Sequence, residues 1–299
     1  MEMLRIEGLY KSFGDKKVLN GLDLTVPEHS IFGFVGKNGA GKTTTMKTVL
    51  GLLKADQGKI FVNSEEVIYG KSATNRHIGY LPDVPEFYSF MSAPEYLRFC
   101  IGISRVECEN IQSRIDELLE MVGLLGENHR IKGFSRGMKQ RLGIAQALIC
   151  KPKLLICDEP TSALDPTGRK ELLDILLSIK DQTTVLFSTH ILSDVERICT
   201  NVAFLESGVI RLEGTIDDVK KSFRSEEYLV EFSSPEDALY ILEAFSGARR
   251  ITPTRIIFGE ETHSLFDLYV LLAQKHIKVS KIERVEPTLE SLFLEVTKK

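Results

Sequence analysis

Residues 36–43 read Gly-Lys-Asn-Gly-Ala-Gly-Lys-Thr, two glycines with four residues between them followed by Lys and Thr. That is the spacing of a phosphate-cradling loop. The apolar run 31–35 before it suits a buried strand, and residues 44–53 after it suit a helix. At such a turn backbone N–H groups point outward, and the helix N-terminus adds partial positive charge. A triphosphate needs that arrangement. Gly36, Asn38, Gly39, Ala40, Gly41 and Thr44 would form the cradle, Lys42 would reach the β- and γ-phosphates, and the Thr43 hydroxyl would ligate Mg²⁺.

Residues 153–160 read Lys-Leu-Leu-Ile-Cys-Asp-Glu-Pro, a short apolar run ending in two acids and a proline. This suits a buried parallel strand with carboxylates at its C-terminal end, where ligands bind in open α/β sheets. Asp158 can hold Mg²⁺ directly or through water, and Glu159 can polarise an attacking water. The predicted strand 183–188 ends at Thr189-His190, from which the imidazole could contact a γ-phosphate. Ahead of the cradle, the aromatics of Tyr10-Lys11-Ser12-Phe13-Gly14 could stack on a purine ring. A solvated acid pair, a structural histidine and an ordinary core aromatic are the plain alternatives when each is taken alone.

The elements that must position these groups follow from periodicity. Residues 2–7 and 18–26 read as early strands of a mixed sheet, and residues 59–62, 66–69 and 78–81 as short strands. Pro82 and Pro85 break that pattern. Residues 86–150 become helical: one helix over 94–103, a second with Ile111, Ile115, Leu118, Leu119, Val122 and Leu125 on one face, and a third opening at Ser135 as N-cap. An apolar helix over 167–179 follows, and a hairpin joins 201–205 to 209–212. Residues 215–225 are charged and short of core residues, which sets a domain boundary near 220. Beyond it, strands at 228–232, 255–258 and 277–285 alternate with helices at 235–245, 265–276 and 289–296, a small α+β domain over 221–299.

Length and composition bound the possibilities. The 299 residues allow one large domain or two ordinary ones, with 43% hydrophobic and 27% charged residues, close to a soluble globular average. A net charge of −4 gives no global basic field for nucleic acid. No apolar run reaches the length of a membrane span, and the first residues carry no signal-peptide core. Cys100, Cys108, Cys150, Cys157 and Cys199 are scattered and read as reduced thiols. His263 and His276 lie 13 positions apart with no Cys nearby, which argues against a metal site.

In their order these motifs resemble the ATP-binding subunit of an ATP-binding cassette (ABC) transporter, over about residues 1–220. Residues 36–43 match Walker A, Leu154 to Asp158 match Walker B, Glu159 the catalytic glutamate, 162–165 the D-loop, and His190 the switch histidine. Phe13 matches the aromatic that stacks on adenine, and 134–141, with Ser135 and Gly137, stands where the family carries its LSGGQ signature. The resemblance implies an α/β P-loop NTPase cassette with a mixed-sheet core and a helical subdomain at about 86–150, carrying the small C-terminal domain. It implies ATP and Mg²⁺ as cofactors and head-to-tail pairing with a second ATPase subunit, in a homo- or heterodimer. It also implies a separate transmembrane permease as partner, no nucleic acid, and a cytoplasmic, peripheral location on the inner face of the membrane. Residues 286–294, Glu-Pro-Thr-Leu-Glu-Ser-Leu-Phe-Leu, look like the tail of bacterial drug- and antibiotic-exporter ATPases.

The chain departs from the family pattern at two places. Asp83 stands at the Q-loop glutamine position, where an acid could still ligate Mg²⁺ but adds negative charge beside the triphosphate. Arg136 and Met138 replace the first glycine and the glutamine of the signature. Two other readings stay open: a soluble, non-transport ABC ATPase of the translation or DNA-repair type, and an ATP-gated regulatory subunit with weak hydrolysis. The departures imply hydrolysis that is weakened and not abolished. Arg136→Gly is therefore expected to match or exceed the parent in a steady-state ATPase assay, and turnover well below the parent would contradict this.

Overall fold

The computed structural model describes residues 1–104, 110–223, 227–259 and 264–296. Cys108 and His263 lie outside these residues. The chain divides into two compact units, Met1–Ile216 and Asp217–Glu295.

In the first unit, β1 (Glu2–Phe13) and β2 (Lys16–Pro27) form an antiparallel hairpin. Next come β3 (Ile31–Val35) and α1 (Lys42–Val49), then β4 (Gln57–Val62) and the two-residue β5 (Glu65–Glu66). A 3-10 turn at Ala73–His77 leads into β6 (Ile78–Leu81). The helices α2 (Ala93–Ser104), α3 (Ile111–Met121) and α4 (Arg136–Ala147) follow, α3 capped by Asn110 and α4 by Ser135. Then come β7 (Leu154–Asp158), α5 (Pro166–Ser178), β8 (Thr184–Thr189), α6 (Leu192–Ile198), β9 (Asn201–Glu206) and β10 (Val209–Thr215); α7 (Ile216–Ser222) begins at the division between the units.

Two sheets result. One runs β2-β1-β4-β5 and is antiparallel throughout; the other runs β10-β9-β3-β8-β7-β6, parallel except for β10. The early strands therefore build a sheet of their own and do not join the mixed sheet. Alternation explains this: Leu4, Ile6, Leu22 and Leu24 bury one face against the core of the larger sheet, while Arg5, Glu7 and Asp23 stay at the surface. Strands β3, β7 and β8 are buried at every position, as expected for strands covered on both faces. Phe32, Phe34, Leu154, Ile156, Leu186, Ala203 and Leu205 form the shared core with Met46 and Val49 of α1. A Cβ on Gly79 would lie 2.4 Å from the Ala147 carbonyl oxygen, so glycine lets β6 approach the end of α4.

Three further sequence expectations shift. The helix expected at 44–53 spans Lys42–Val49. The strand expected at 66–69 shrinks to Glu65–Glu66, paired with Val62 and Phe61 of β4, and one further backbone bond, from the Val67 N–H to the Ile60 carbonyl, ends the pairing. The stretch read as charged and short of core residues holds a helix, α7, with Ile216 and Val219 buried, and the division between the units falls at its start.

The second unit contains β11 (Glu227–Phe232), α8 (Pro235–Ala244), β12 (Arg249–Thr252), β13 (Arg255–Gly259), α9 (Leu265–Gln274), β14 (Val279–Arg284) and α10 (Leu289–Val296). The sheet order is β12-β13-β11-β14 with every neighbouring pair antiparallel. This is the β-α-β-β-α-β, split β-α-β arrangement. The sequence pattern missed β12, whose residues Arg249 to Ile251 are exposed and carry no apolar alternation. Ala238, Ile241, Leu268 and Leu272 of the helices pack on Val230, Phe232, Ile256 and Phe258. Ser234 caps α8, and Ser264 forms a capping box with Asp267 on α9. The Phe258 ring lies 5.7 Å from Tyr228 and 5.4 Å from Phe245. Phe258→Ala is expected to destabilise this unit by about 3–5 kcal/mol. The check is amide exchange of the full chain, in which peptides from Asp217–Glu295 lose protection while those of β3, β7 and β8 keep theirs.

Candidate functional site

An open cleft of about 420 Å³ lies at the C-terminal ends of the parallel strands, lined by Lys16, Val18, Asn38, Gly39, Gly41, Lys42, Thr43, Thr44, Asp83 and Glu159. Its floor is the turn from β3 to α1. Gly41, at the cap of α1, has φ 115°, and a Cβ there would meet Leu19 Cδ2 at 2.8 Å and the Val18 carbonyl oxygen at 3.2 Å. Only glycine fits both the angle and the approach. Lys42 follows, buried along its stem. Its ammonium donates to the Gly36 carbonyl at 2.6 Å and the Lys37 carbonyl at 3.3 Å, and sits 3.1 Å from Glu159 Oε1.

Asp158 ends β7 and Glu159 follows it. Asp158 is 3% exposed, with one carboxylate oxygen accepting from Thr43 Oγ1 and the other from Ser188 Oγ, both at 2.8 Å. Thr43 and Asp158, expected to share a cation, are thus brought together. Two hard oxygen donors, one of them anionic, at the foot of a phosphate cradle suit Mg²⁺. Among the described residues no group of three or more His, Cys, Asp or Glu could hold a metal by itself, so a cation here would draw its remaining ligands from phosphate and water. Glu159 adopts a left-handed φ of 49°, a conformation that costs about 1–3 kcal/mol outside glycine. Its backbone N–H donates to the Ser188 carbonyl at 3.0 Å, which ties the strained residue to β8. His190 Nδ1 lies 2.8 Å from Glu159 Oε2. Lys42, Glu159 and His190 therefore form one connected row.

Asp83, expected on a cation, lines the cleft but is already engaged. Its Oδ1 accepts from Ser162 Oγ at 2.8 Å and lies 3.5 Å from the Arg136 guanidinium. Its carbonyl accepts from the buried Gln140 amide at 2.5 Å. Two of the three residues that depart from the family pattern, Asp83 and Arg136, are thus a charge pair. Ser135 and Gly137 lie at the start of α4, with Ser135 exposed and its hydroxyl accepting from the Met138 N–H at 3.2 Å. Neither lines the cleft. Phe13 ends β1, half exposed, opposite Lys16 in the hairpin register, with the Lys11 ammonium 5.4 Å from its ring centre. It stands near the cleft's rim through Lys16 and does not line it.

Sequence reasoning placed Ser162 in the D-loop and Gln140 in the signature stretch but gave no individual role to either, nor to Ser188 or Tyr80. Ser188 had a signal, a hydroxyl at the end of an otherwise apolar buried strand; the partners of the other three depend on the tertiary fold. Burial pushes the Tyr80 hydroxyl up to about 12, with the Asp158 and Asp83 carboxylates adding to the effect, so it stays neutral beside Asp158. Cys157, wholly buried next to Asp158, and Cys199 have thiol pKa values pushed up by burial first and by a neighbouring carboxylate second.

A family model described as "ABC transporter" matches residues 19–162, and one described as "ATP-binding protein DrrA1-3-like, C-terminal domain" matches residues 214–297. The chain is 38% identical over 306 residues to the uncharacterized ABC transporter ATP-binding protein YxlF of Bacillus subtilis, covering 98% of this chain and 99% of that protein. It is 39% identical over 245 residues to the bacitracin transport ATP-binding protein BcrA of Bacillus licheniformis, covering 81% of this chain and 78% of the relative. A solved structure of the ATP-binding subunit of an ABC transporter superposes with a TM-score of 0.66 at 31% identity, over 74% of this chain and 93% of that one.

Thiol reactivity checks the burial of this region. At pH 8 exposed Cys150 is expected to be alkylated by iodoacetamide within minutes, while buried Cys157 stays unmodified until the chain unfolds, because burial leaves little thiolate. Peptide mapping reads the outcome.

Proposed function

Because the chain belongs to the ATP-binding subunits of ABC transporters, we propose that it is the Mg²⁺-dependent ATPase of a bacterial-type exporter. The observation that carries this reading is the row Lys42–Glu159–His190 at the mouth of the phosphate cradle, above the Thr43–Asp158 pair. A triphosphate entering the cleft offers Lys42 a stronger acceptor than the Gly36 carbonyl and Glu159 together. Glu159 Oε1, released from the Lys42 ammonium 3.1 Å away, is then free to orient and polarise the attacking water. His190 holds the other carboxylate oxygen and can turn toward the γ-phosphate. Thr43 and Asp158 would hold Mg²⁺, which supplies charge neutralisation at the β- and γ-phosphates.

Ser135 and Gly137 lie off the cleft at an exposed helix start, which suits a γ-phosphate contact made to a second copy. Two subunits closing head to tail over ATP, and reopening after hydrolysis, would drive a transmembrane permease. Among the described residues no helix is long and apolar enough to cross a membrane, so the permease is read as a separate chain and this subunit as peripheral on the cytoplasmic face. The export reading is supported by the C-terminal match and by the relative named for bacitracin transport. Phe13 is proposed to stack on adenine once the nucleotide spans the rim.

Glu159→Gln is expected to lower ATP turnover by at least about 10²-fold. ATP should then trap a dimer, seen by size exclusion in ATP and lost in ADP. Full turnover by this variant, or no ATP-dependent dimer, would overturn the reading. Membrane co-purification separates it from a soluble, non-transport ATPase.

A further inference from the structure

Beneath the exposed His190–Glu159 contact lies a second, buried link between the same two loops. Asp194, four residues after His190 in the first turn of α6, is 2% exposed. One of its carboxylate oxygens accepts from Thr161 Oγ1 at 2.7 Å, and the other from Arg169 Nε at 2.5 Å. Thr161 is 1% exposed and stands two residues after Glu159; Arg169 sits in the first turns of α5 and also donates to Ser193 Oγ at 2.9 Å. Asp194 thus grips the Glu159 loop in its middle and the helix that ends it.

We propose that Asp194 is a positioning residue, holding the loop that carries Glu159 in register with the loop that carries His190 through Thr161. The inference rests on the ATPase reading above and adds a residue to it. Its physical basis is strain. Glu159 and Ala163 both adopt left-handed backbone angles, φ 49° and 56°, within five residues. Such angles persist only where surrounding contacts over-determine them. Thr161 lies between them, and the Ser162 and Leu164 N–H groups close turns onto the Glu159 and Thr161 carbonyls. The hydroxyl bond to Asp194 anchors this double turn from below. The surface contact cannot do so alone, since the His190 side chain is 46% exposed and water competes for it.

Thr161→Val keeps the side chain's shape and removes the donor. In the full chain, at a temperature where its melting curve shows it folded, kcat for ATP should fall about 10- to 100-fold. KM should stay near the parent's, because the phosphate cradle is untouched. Thr161→Ser should recover most of the loss. Without nucleotide, the His190 ring signal in a ¹H–¹³C spectrum should shift or broaden in Thr161→Val while those of His29 and His77 hold. A valine variant within twofold of the parent in kcat, a serine variant as slow as the valine one, or an unmoved His190 signal would each overturn the proposal. If the valine variant does not fold, Asp194→Asn carries the same measurements. A parent with no ATP turnover would overturn the ATPase reading instead, and the ring signal would still decide this one.

Discussion

Lys42 is a buried cation, 6% exposed, and the site depends on how its charge is satisfied. A buried ammonium needs acceptors, and here the Gly36 and Lys37 carbonyls and the Glu159 carboxylate supply them. That requirement draws the end of β7 against the β3–α1 turn, and through Glu159 it draws in His190 from the end of β8. It also leaves the lysine exchangeable, because none of its partners matches the charge of a triphosphate. These partners of Lys42 are the contacts that a bound triphosphate would redirect.

Around this exchange the parallel sheet acts as a rigid frame. Strands β3, β8 and β7 are adjacent, in register and buried on both faces, so their C-terminal ends present Gly36, His190 and Asp158 to one region. Asp158 is held by hydroxyl donors on either side, Thr43 from α1 and Ser188 from β8. The hydroxyls satisfy a buried carboxylate without adding charge, which preserves its value to a cation. Glu159, its side chain only 14% exposed, carries a strained backbone angle, and the surrounding hydrogen bonds hold that strain in place.

Asp83 and Arg136 gain meaning only as a pair. Read separately, one is an extra negative charge near a triphosphate and the other a bulky cation in a signature that normally carries glycine. Together with Ser162 and Gln140 they connect the segment after β6, the start of α4 and the loop after β7. The pair is about half exposed, where ion pairs contribute roughly 0–1 kcal/mol.

Local spacing and periodicity in the sequence determined the phosphate cradle, the acids at the end of a buried strand, the N-cap at Ser135 and most of the helices. Each of these is written in a stretch shorter than about fifteen residues, the range over which backbone angles and hydrophobic period carry information. The division into two sheets, β12, α7, the engagement of Asp83 and the Ser188 and Asp194 contacts were decided by the tertiary structure. They join residues far apart in the chain, as Asp158 joins Thr43 and Asp83 joins Ser162. A side chain's type states what it can bond, and only the fold brings a particular partner within about 3 Å of it.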